Sequence, residues 1–275
     1  MIVITGATGN VGRPLVQALA AAGAEVRAVS RTAEAADFPA GVEYRRADLL
    51  RTDELTPALT GAHTVFLLAS GDFLGAGGDL GEVVESVRSA GGRRVVLLSS
   101  QGVGTGNHPA DAEAAVRDSG LDWTILRPGN FASNALQWAE SVRGERTVTA
   151  PFADIALPVI DPVDIAAVAA AALLDDSHDS SIYELTGPEP VSPRQQAAAL
   201  GAALGEPVRF TELSRAQARE RMVQFMPGPV VESTLDMLGS PAPALQQVSP
   251  DVEKVLGRAP HTFTEWAARN SAAFR

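Results

Sequence analysis

Three glycines stand three residues apart in Gly6-Ala7-Thr8-Gly9-Asn10-Val11-Gly12, directly after the apolar run Ile2-Val3-Ile4-Thr5. In a strand-to-helix turn each would have its own task. Gly6 lets the chain turn sharply off the strand, Gly9 lets backbone N–H groups approach a pyrophosphate, and Gly12 lets the next helix pack close to the sheet. The N–H groups at that helix's start then face the phosphates. An ordinary tight turn uses the same residues, and the strand before and helix after are what favour a dinucleotide. A second signal lies where the next strand ends, at Val29-Ser30-Arg31-Thr32. NAD-selective sites place an Asp or Glu there to pair with the ribose hydroxyls. Here a hydroxyl and a guanidinium stand instead, with no acid before Glu34, which suits a 2′-phosphate and favours NADPH (NADP+) over NADH.

The elements that would position these residues alternate. Helix-like Val11 to Ala22 carries Leu15 and Leu19 on one face, with Pro14 in its first turn and Gly23 beyond its end. Strands are predicted at Glu25 to Ser30, Val42 to Arg45, Thr64 to Ala69, Arg94 to Leu98 and Trp123 to Leu126, with helices near Leu80 to Ala90 and Ala110 to Ser119. Such alternation predicts an α/β fold with a parallel sheet wrapped by helices. Asp161 to Leu174 reads as a strand end and an Ala-rich helix, and Ser181 to Leu185 as a returning strand. Capping boxes at Ser192 with Gln195, Ser214 with Gln217 and Thr262 with Glu265 mark later helix starts. Met226-Pro227-Gly228-Pro229 breaks one helix before Val230 to Leu238 begins another, and Phe225 to Gln247 reads equally as a mobile lid or as an irregular connection.

Composition narrows the function classes. The 275 residues, 45% hydrophobic and 20% charged, suffice for a full core, and the net charge of −11 argues against nucleic acid. Lack of cysteine removes disulfides, thiolate nucleophiles and cysteine metal sites. The four histidines are too scattered for ligand spacing, and the acidic run Asp175-Asp176-Ser177-His178-Asp179 reads as a solvated loop, so no metal is expected. A first strand starting at Ile2 and the absence of a membrane-length apolar run predict a cytoplasmic protein that acts on a small molecule away from membranes, its oligomeric state open.

Five ordered segments carry a resemblance over nearly the whole chain: the glycine turn, Ser119-Gly120-Leu121-Asp122-Trp123-Thr124-Ile125-Leu126-Arg127-Pro128-Gly129-Asn130-Phe131, Asp161-Pro162-Val163-Asp164-Ile165-Ala166, Tyr183-Glu184-Leu185-Thr186-Gly187-Pro188-Glu189 and Thr262-Phe263-Thr264-Glu265-Trp266. Together they resemble the NmrA-like branch of the atypical short-chain dehydrogenases/reductases, and within it the quinone-oxidoreductase type 2 subgroup. The resemblance implies one NmrA-like domain over residues 1–275, a Rossmann-type doubly wound parallel sheet with a small C-terminal α/β lobe. Residues 1–128 and 159–186 would bind the dinucleotide, and 129–158 and 187–250 would form the substrate lobe. By the same resemblance Gly6, Thr8, Gly9, Asn10, Val11 and Gly12 hold the pyrophosphate, and Asp48, with Leu49 beside it, accepts from adenine unless it merely caps a helix. Leu68, Ala69 and Ser70 lie along the nicotinamide ribose, and Pro128, Asn130 and Phe131 wall the nicotinamide and substrate. Asn134 and Trp138 follow Phe131 at helical spacing, which a plain buried helix face would also produce.

What the chain lacks is equally informative. Better-known branches of this superfamily protonate a nascent alkoxide with the tyrosine of a Tyr-x-x-x-Lys motif. Here the only lysine is Lys254 and the tyrosines are Tyr44 and Tyr183, and Thr105-Gly106-Asn107-His108-Pro109 occupies the place where the motif would be expected. Hydride transfer to an isolated ketone creates an alkoxide about as basic as hydroxide, the conjugate of water of pKa near 15.7. Transfer to a quinone leaves a phenolate-like anion with a pKa of roughly 10, which water can protonate. Quinones and conjugated enones, including aromatic natural products, are therefore the expected acceptors. Ser99 and Ser100, with Gln101 next, sit where the superfamily keeps a substrate-binding serine, and His108 is the nearby group suited to proton donation. A dinucleotide-binding redox sensor without turnover, as some NmrA-like proteins are, and a non-redox isomerisation are the rival readings.

Overall fold

Ile2–Thr5 forms β1, buried throughout, and passes through the glycine turn into α1 (Gly12–Ala21). Leu15, Val16 and Leu19 recur at helical spacing and form the buried face of α1. The computed structural model describes residues 1–68 and 71–275, the side chain of Asp72 apart. After α1 come β2 (Val26–Ser30), β3 (Glu43–Arg46), α2 (Thr52–Leu59), β4 (Thr64–Leu68), α3 (Gly71–Gly75), α4 (Leu80–Ser89), β5 (Arg94–Leu98), α5 (Gln101–Gly104), α6 (Asp111–Arg117) and β6 (Asp122–Pro128). The chain continues through β7 (Asn130–Phe131), α7 (Ala139–Glu145), β8 (Thr147–Pro151), β9 (Leu157–Ile160), α8 (Pro162–Leu174) and β10 (Ser181–Leu185). It ends with β11 (Pro190–Val191), α9 (Pro193–Leu204), β12 (Arg209–Leu213), α10 (Arg215–Met222), α11 (Gly228–Gly239), α12 (Asp251–Leu256) and α13 (Phe263–Arg269).

Two compact units result. The first comprises residues 1–128, 162–185 and 254–257, the second 129–161, 186–253 and 258–275. In the first, seven parallel strands run in the order β10-β6-β5-β4-β1-β2-β3. Helices α2, α4 and α6 pack in sequence on the core that holds Leu55, Leu59, Val83, Val87 and Val116, while α1 pairs with α8. This is the parallel sheet anticipated from the alternation, in the doubly wound, Rossmann-type form that the resemblance implied. The strand order reverses between β1 and β4, where open α/β sheets hold their ligands at the carboxyl ends of the strands.

The second unit holds β11-β9-β7 and the parallel pair β12-β8, with a core that includes Trp138, Val148, Leu200, Trp266 and Phe274. All three capping boxes form, at Ser192, Ser214 and Thr262. Pro227 is the N-cap of α11, so the Pro-Gly-Pro break separates α10 from α11 as expected, and Val231 and Leu235 pack with Ala218 of α10. Helix α2 is not among the elements predicted from sequence; it forms with Pro57 inside it and buries Leu55, Ala58 and Leu59. No described helix is long and apolar enough to cross a membrane.

Candidate functional site

The glycine turn folds as its residue types require. Gly6 has φ +61°, and an added Cβ there would lie 2.8 Å from Leu68 Cδ2. A Cβ on Gly12 would overlap the Gly6 carbonyl oxygen and stand 2.8 Å from the Ala7 Cα. Gly9 differs in degree: the nearest atom to an added Cβ is Gly6 O at 3.3 Å, tight but short of overlap, so the protein's own demand for glycine there is the mildest of the three. A ligand that must touch the turn's N–H groups would make that demand. No side chain caps α1 at Val11. Thr5 holds the neighbouring strand end, donating to Phe66 O (2.9 Å) and accepting from Leu68 N (3.1 Å). A lone hydroxyl at the last strand position before the first glycine was its only trace in the sequence.

A crevice of about 230 Å³ opens at this point, at the carboxyl ends of β1, β2 and β4. Of the residues anticipated for the cofactor, Gly6, Thr8, Gly9, Ser30, Arg31, Asp48, Leu49 and Leu68 all line it. Thr5, Ala47 and the buried Phe73 also line it and were not anticipated. Arg31 and Thr32 are exposed at its rim, and Ser30 Oγ accepts from Ala33 N at 3.2 Å, closing the turn after β2. Asp48 accepts from Leu50 N at 3.1 Å through Oδ1, so it does close a turn ahead of α2 while facing the crevice. Ala69 and Ser70 lie outside the described residues. Asn10, Val11 and Gly12 continue the turn into α1 and are not among the crevice walls. Pro128 is buried as the last residue of β6.

One strand further along the sheet, Leu98 of β5 pairs with Leu68 of β4, which brings Ser99 and Ser100 to the same carboxyl edge. Their hydroxyls have different partners. Ser99 Oγ donates to Glu113 Oε1 at 2.6 Å. Glu113, 1% exposed, also accepts from Arg127 Nε (2.9 Å) and a terminal Arg127 nitrogen (2.7 Å), and from Arg117 at 2.6 Å. Burial pushes the Glu113 carboxyl up, but Arg127, Ser99 and Arg117 outweigh it and hold it below the usual range. Arg127 reaches Glu184 of β10 at 3.3 Å as well. Glu113 was missed from sequence, where α6 carries no sign that one of its acids faces inward.

Ser100 Oγ instead accepts from Gly102 N at 3.1 Å, capping α5, and lies 3.0 Å from His108 Nδ1. Backbone bonds from Asn107 N (2.8 Å) and His108 N (3.0 Å) to Gly102 O fold the loop back onto α5. Ser100 and His108 are thus brought together, while Ser99 is turned towards Glu113. Gln101 opens α5 and is half-buried. The remaining substrate candidates belong to the second unit: Asn134 Nδ2 donates to Asn130 Oδ1 at 3.0 Å, Phe131 is half-buried in β7, and Trp138 is buried in that unit's core.

Tyr183 pairs with His178 at 2.8 Å, Asp175 accepts from Ser177 N at 2.9 Å, and Asp179 pairs with Arg94. Among the described residues no group of three or more His, Asp or Glu is placed to hold a metal.

Comparison with known proteins bears on this site. Residues 6–176 match the family described as NAD(P)H-binding. The chain is similar to a (4-alkanoyl-5-oxo-2,5-dihydrofuran-3-yl)methyl phosphate reductase of Streptomyces griseus subsp. griseus, 36% identical over 283 residues and covering 100% of this chain and 99% of the relative. It is 32% identical to an NAD(P)H azoreductase of Xenophilus azovorans, over 100% of this chain and 99% of that protein. Among solved structures it resembles the NADPH complex of an NADPH-dependent quinone oxidoreductase, QOR2, from Escherichia coli, with TM-score 0.81, 25% identity, and coverage of 98% and 99% of the two chains. The likeness to type 2 quinone oxidoreductases read from the five segments is thereby met.

Proposed function

The chain belongs to the NAD(P)H-binding family, and we propose that it uses NADPH to reduce a quinone or conjugated carbonyl compound. It is an NAD(P)H-dependent oxidoreductase. The observation that carries the acceptor class is the carboxyl edge of β5, where a serine–histidine pair stands in a chain with no Tyr-x-x-x-Lys sequence.

The residues fit NADPH. Gly6, Gly9 and Gly12 leave the turn bare for a pyrophosphate, Asp48 faces the crevice where it would accept from the adenine amino group, and Arg31 stands where a 2′-phosphate would need a cation. Bound NADPH would supply a hydride from its nicotinamide. The protein's part is then to hold the acceptor, exclude water and offer a donor to the oxygen that gains charge. Ser100 and His108 are assigned to that oxygen, and Gln101, Asn130, Phe131 and Asn134 to the body of the substrate. Choice of substrate is assigned to residues 129–158 and 187–250, and the Rossmann part to 1–128 and 159–186.

The names of the relatives agree with an acceptor in which a π-system takes the hydride: a 5-oxo-2,5-dihydrofuran, a quinone and, for the azoreductase, an azo compound. The deciding experiment measures NADPH oxidation by the purified protein against a panel of quinones, conjugated enones and saturated ketones. Turnover with the first two classes and not the third is expected. Tight NADPH binding with no turnover on any acceptor would identify a sensor and reject this reading.

A further inference from the structure

The Ser100 hydroxyl has two polar neighbours. Gly102 N donates to its oxygen at 3.1 Å, and His108 Nδ1 lies 3.0 Å away on another side. If His108 carries a proton on Nδ1, both lone pairs of Ser100 Oγ are filled, and the hydroxyl proton must point elsewhere. Ser99 offers no such proton, because its own is committed to the buried carboxylate of Glu113 at 2.6 Å. The charged groups on the adjoining elements, Glu113 and Arg117 of α6, Arg127 of β6 and Glu184 of β10, bond to one another around Ser99.

His108 is held in place by backbone geometry. Asn107 N and His108 N both donate to Gly102 O, and the imidazole lies so close to Gly102 that an added Cβ would stand 2.5 Å from Nδ1 and 2.7 Å from Cγ. The other edge of the ring belongs to an exposed residue, which gives Nε2 a route to exchange protons with water.

We propose that Ser100 is the catalytic proton donor, that His108 resupplies it through Nδ1, and that the acceptor this pair serves is a conjugated carbonyl rather than a quinone. The inference rests on the reductase reading given above. In a quinone the incoming charge spreads over a ring that becomes aromatic. In an enone or butenolide it stays on one O–C–C unit, so a donor aimed at that oxygen lowers the barrier more. Two electrons and a hydride come from the reduced nicotinamide and add to the β-carbon, leaving an enolate. The Ser100 O–H bond breaks as its proton moves to the enolate oxygen, and the Nδ1 proton of a His108 imidazolium passes to Ser100 Oγ. His108 is left neutral with its remaining proton on Nε2, Nδ1 regains a proton from water once the product has left, and the enol tautomerises to the saturated carbonyl.

Two measurements test the relay. In the cofactor-free protein, long-range proton–nitrogen correlation of the four imidazoles should find a proton on His108 Nδ1, with a signal that moves in Ser100→Ala. A neutral His108 with its proton on Nε2 would mean that Nδ1 accepts from Ser100, and the proposal would be wrong. Kinetically, NADPH-dependent reduction of an acyl-substituted butenolide is compared with that of a simple naphthoquinone. His108→Ala should lower kcat on the butenolide by about 10²-fold with KM little changed, a loss about tenfold or more greater than on the naphthoquinone, and imidazole in the buffer should restore part of it. Gly102→Ala, which pushes the ring off Ser100 while keeping the histidine, should show the same split between acceptors. Equal losses on both acceptors, or wild-type rates on both in His108→Ala, would overturn the relay and leave the reductase reading standing. Binding of NADPH without oxidation by either acceptor would remove the reductase reading itself, and the relay with it.

Discussion

Ser99 gives its hydroxyl proton to Glu113 over 2.6 Å, while the adjacent Ser100 turns to His108. Neighbours in sequence thus serve a buried ion cluster and a solvent-facing histidine respectively. Ser99→Ala removes one of several donors to a carboxylate that keeps its guanidinium bonds, and should cost roughly 1 kcal/mol. Glu113→Ala strands Arg127, which is tied on its other side to Glu184, and should cost about 3–5 kcal/mol. Urea unfolding of both variants checks the ranking, and equal costs would mean that the cluster does not depend on its carboxylate.

The same carboxylate should make stability depend on pH in a defined direction. Burial raises the Glu113 proton affinity, but Arg127, Ser99 and Arg117 lower it more, so its folded value lies below 4.5. A group depressed on folding stabilises the protein above its unfolded value, and the contribution disappears as pH falls through the folded value. The stability gap between wild type and Glu113→Gln should therefore hold steady from neutral pH to about pH 5 and narrow below about pH 4.5. Urea titrations at stepped pH would refute this by finding a gap that widens in acid.

Gly9 and Gly12 should fail in different ways. A side chain at Gly12 collides with the backbone of Gly6 and Ala7, so Gly12→Val should lose folded protein. At Gly9 an added Cβ stands 3.3 Å from the Gly6 carbonyl oxygen, tight but short of overlap, so Gly9→Val should still fold, with a melting temperature lowered far less than that of Gly12→Val, and lose NADPH binding. Titration of NADPH fluorescence together with thermal melting separates the two. Wild-type binding by Gly9→Val would mean that no phosphate approaches this turn.

Arg31 should set the choice between cofactors. It is exposed at the rim of the crevice beside Ser30 and Thr32, and the sequence from Ser30 to Ala33 carries no acid. A hydrogen bond between charged partners contributes roughly 1.5–3 kcal/mol, so Arg31→Ala should weaken NADPH by about 10- to 150-fold and leave NADH nearly untouched. Arg31→Asp should reverse the preference, since a carboxylate repels phosphate yet accepts from ribose hydroxyls. Calorimetric titration of both cofactors is the check, and equal losses in Arg31→Ala would make the arginine structural.

Legibility followed the range of the forces. The glycine turn, the strands from β1 to β6, the capping boxes and the break at Pro227 could be read because each expresses a local preference: φ above zero at Gly6, alternation of apolar runs, or a side chain bonding three residues ahead. β7 and β11 could not, since two residues carry no periodicity, and their pairing with β9 is made by tertiary contact.

At the site itself, the sequence alone determined which chemistry was open. It supplied a turn bare enough for phosphates, a cation in place of an acid after β2, and no tyrosine–lysine pair, because these depend only on which residues are present and how they are spaced. Tertiary structure decided which of two adjacent serines faces His108. That choice depends on Glu113, which lies 14 residues from both Ser99 and Arg127, and on Arg127 and Glu184, 57 apart and joined only by the parallel pairing of β6 and β10. A buried carboxylate must gather donors from wherever the fold brings them, and no local pattern records where those donors will be.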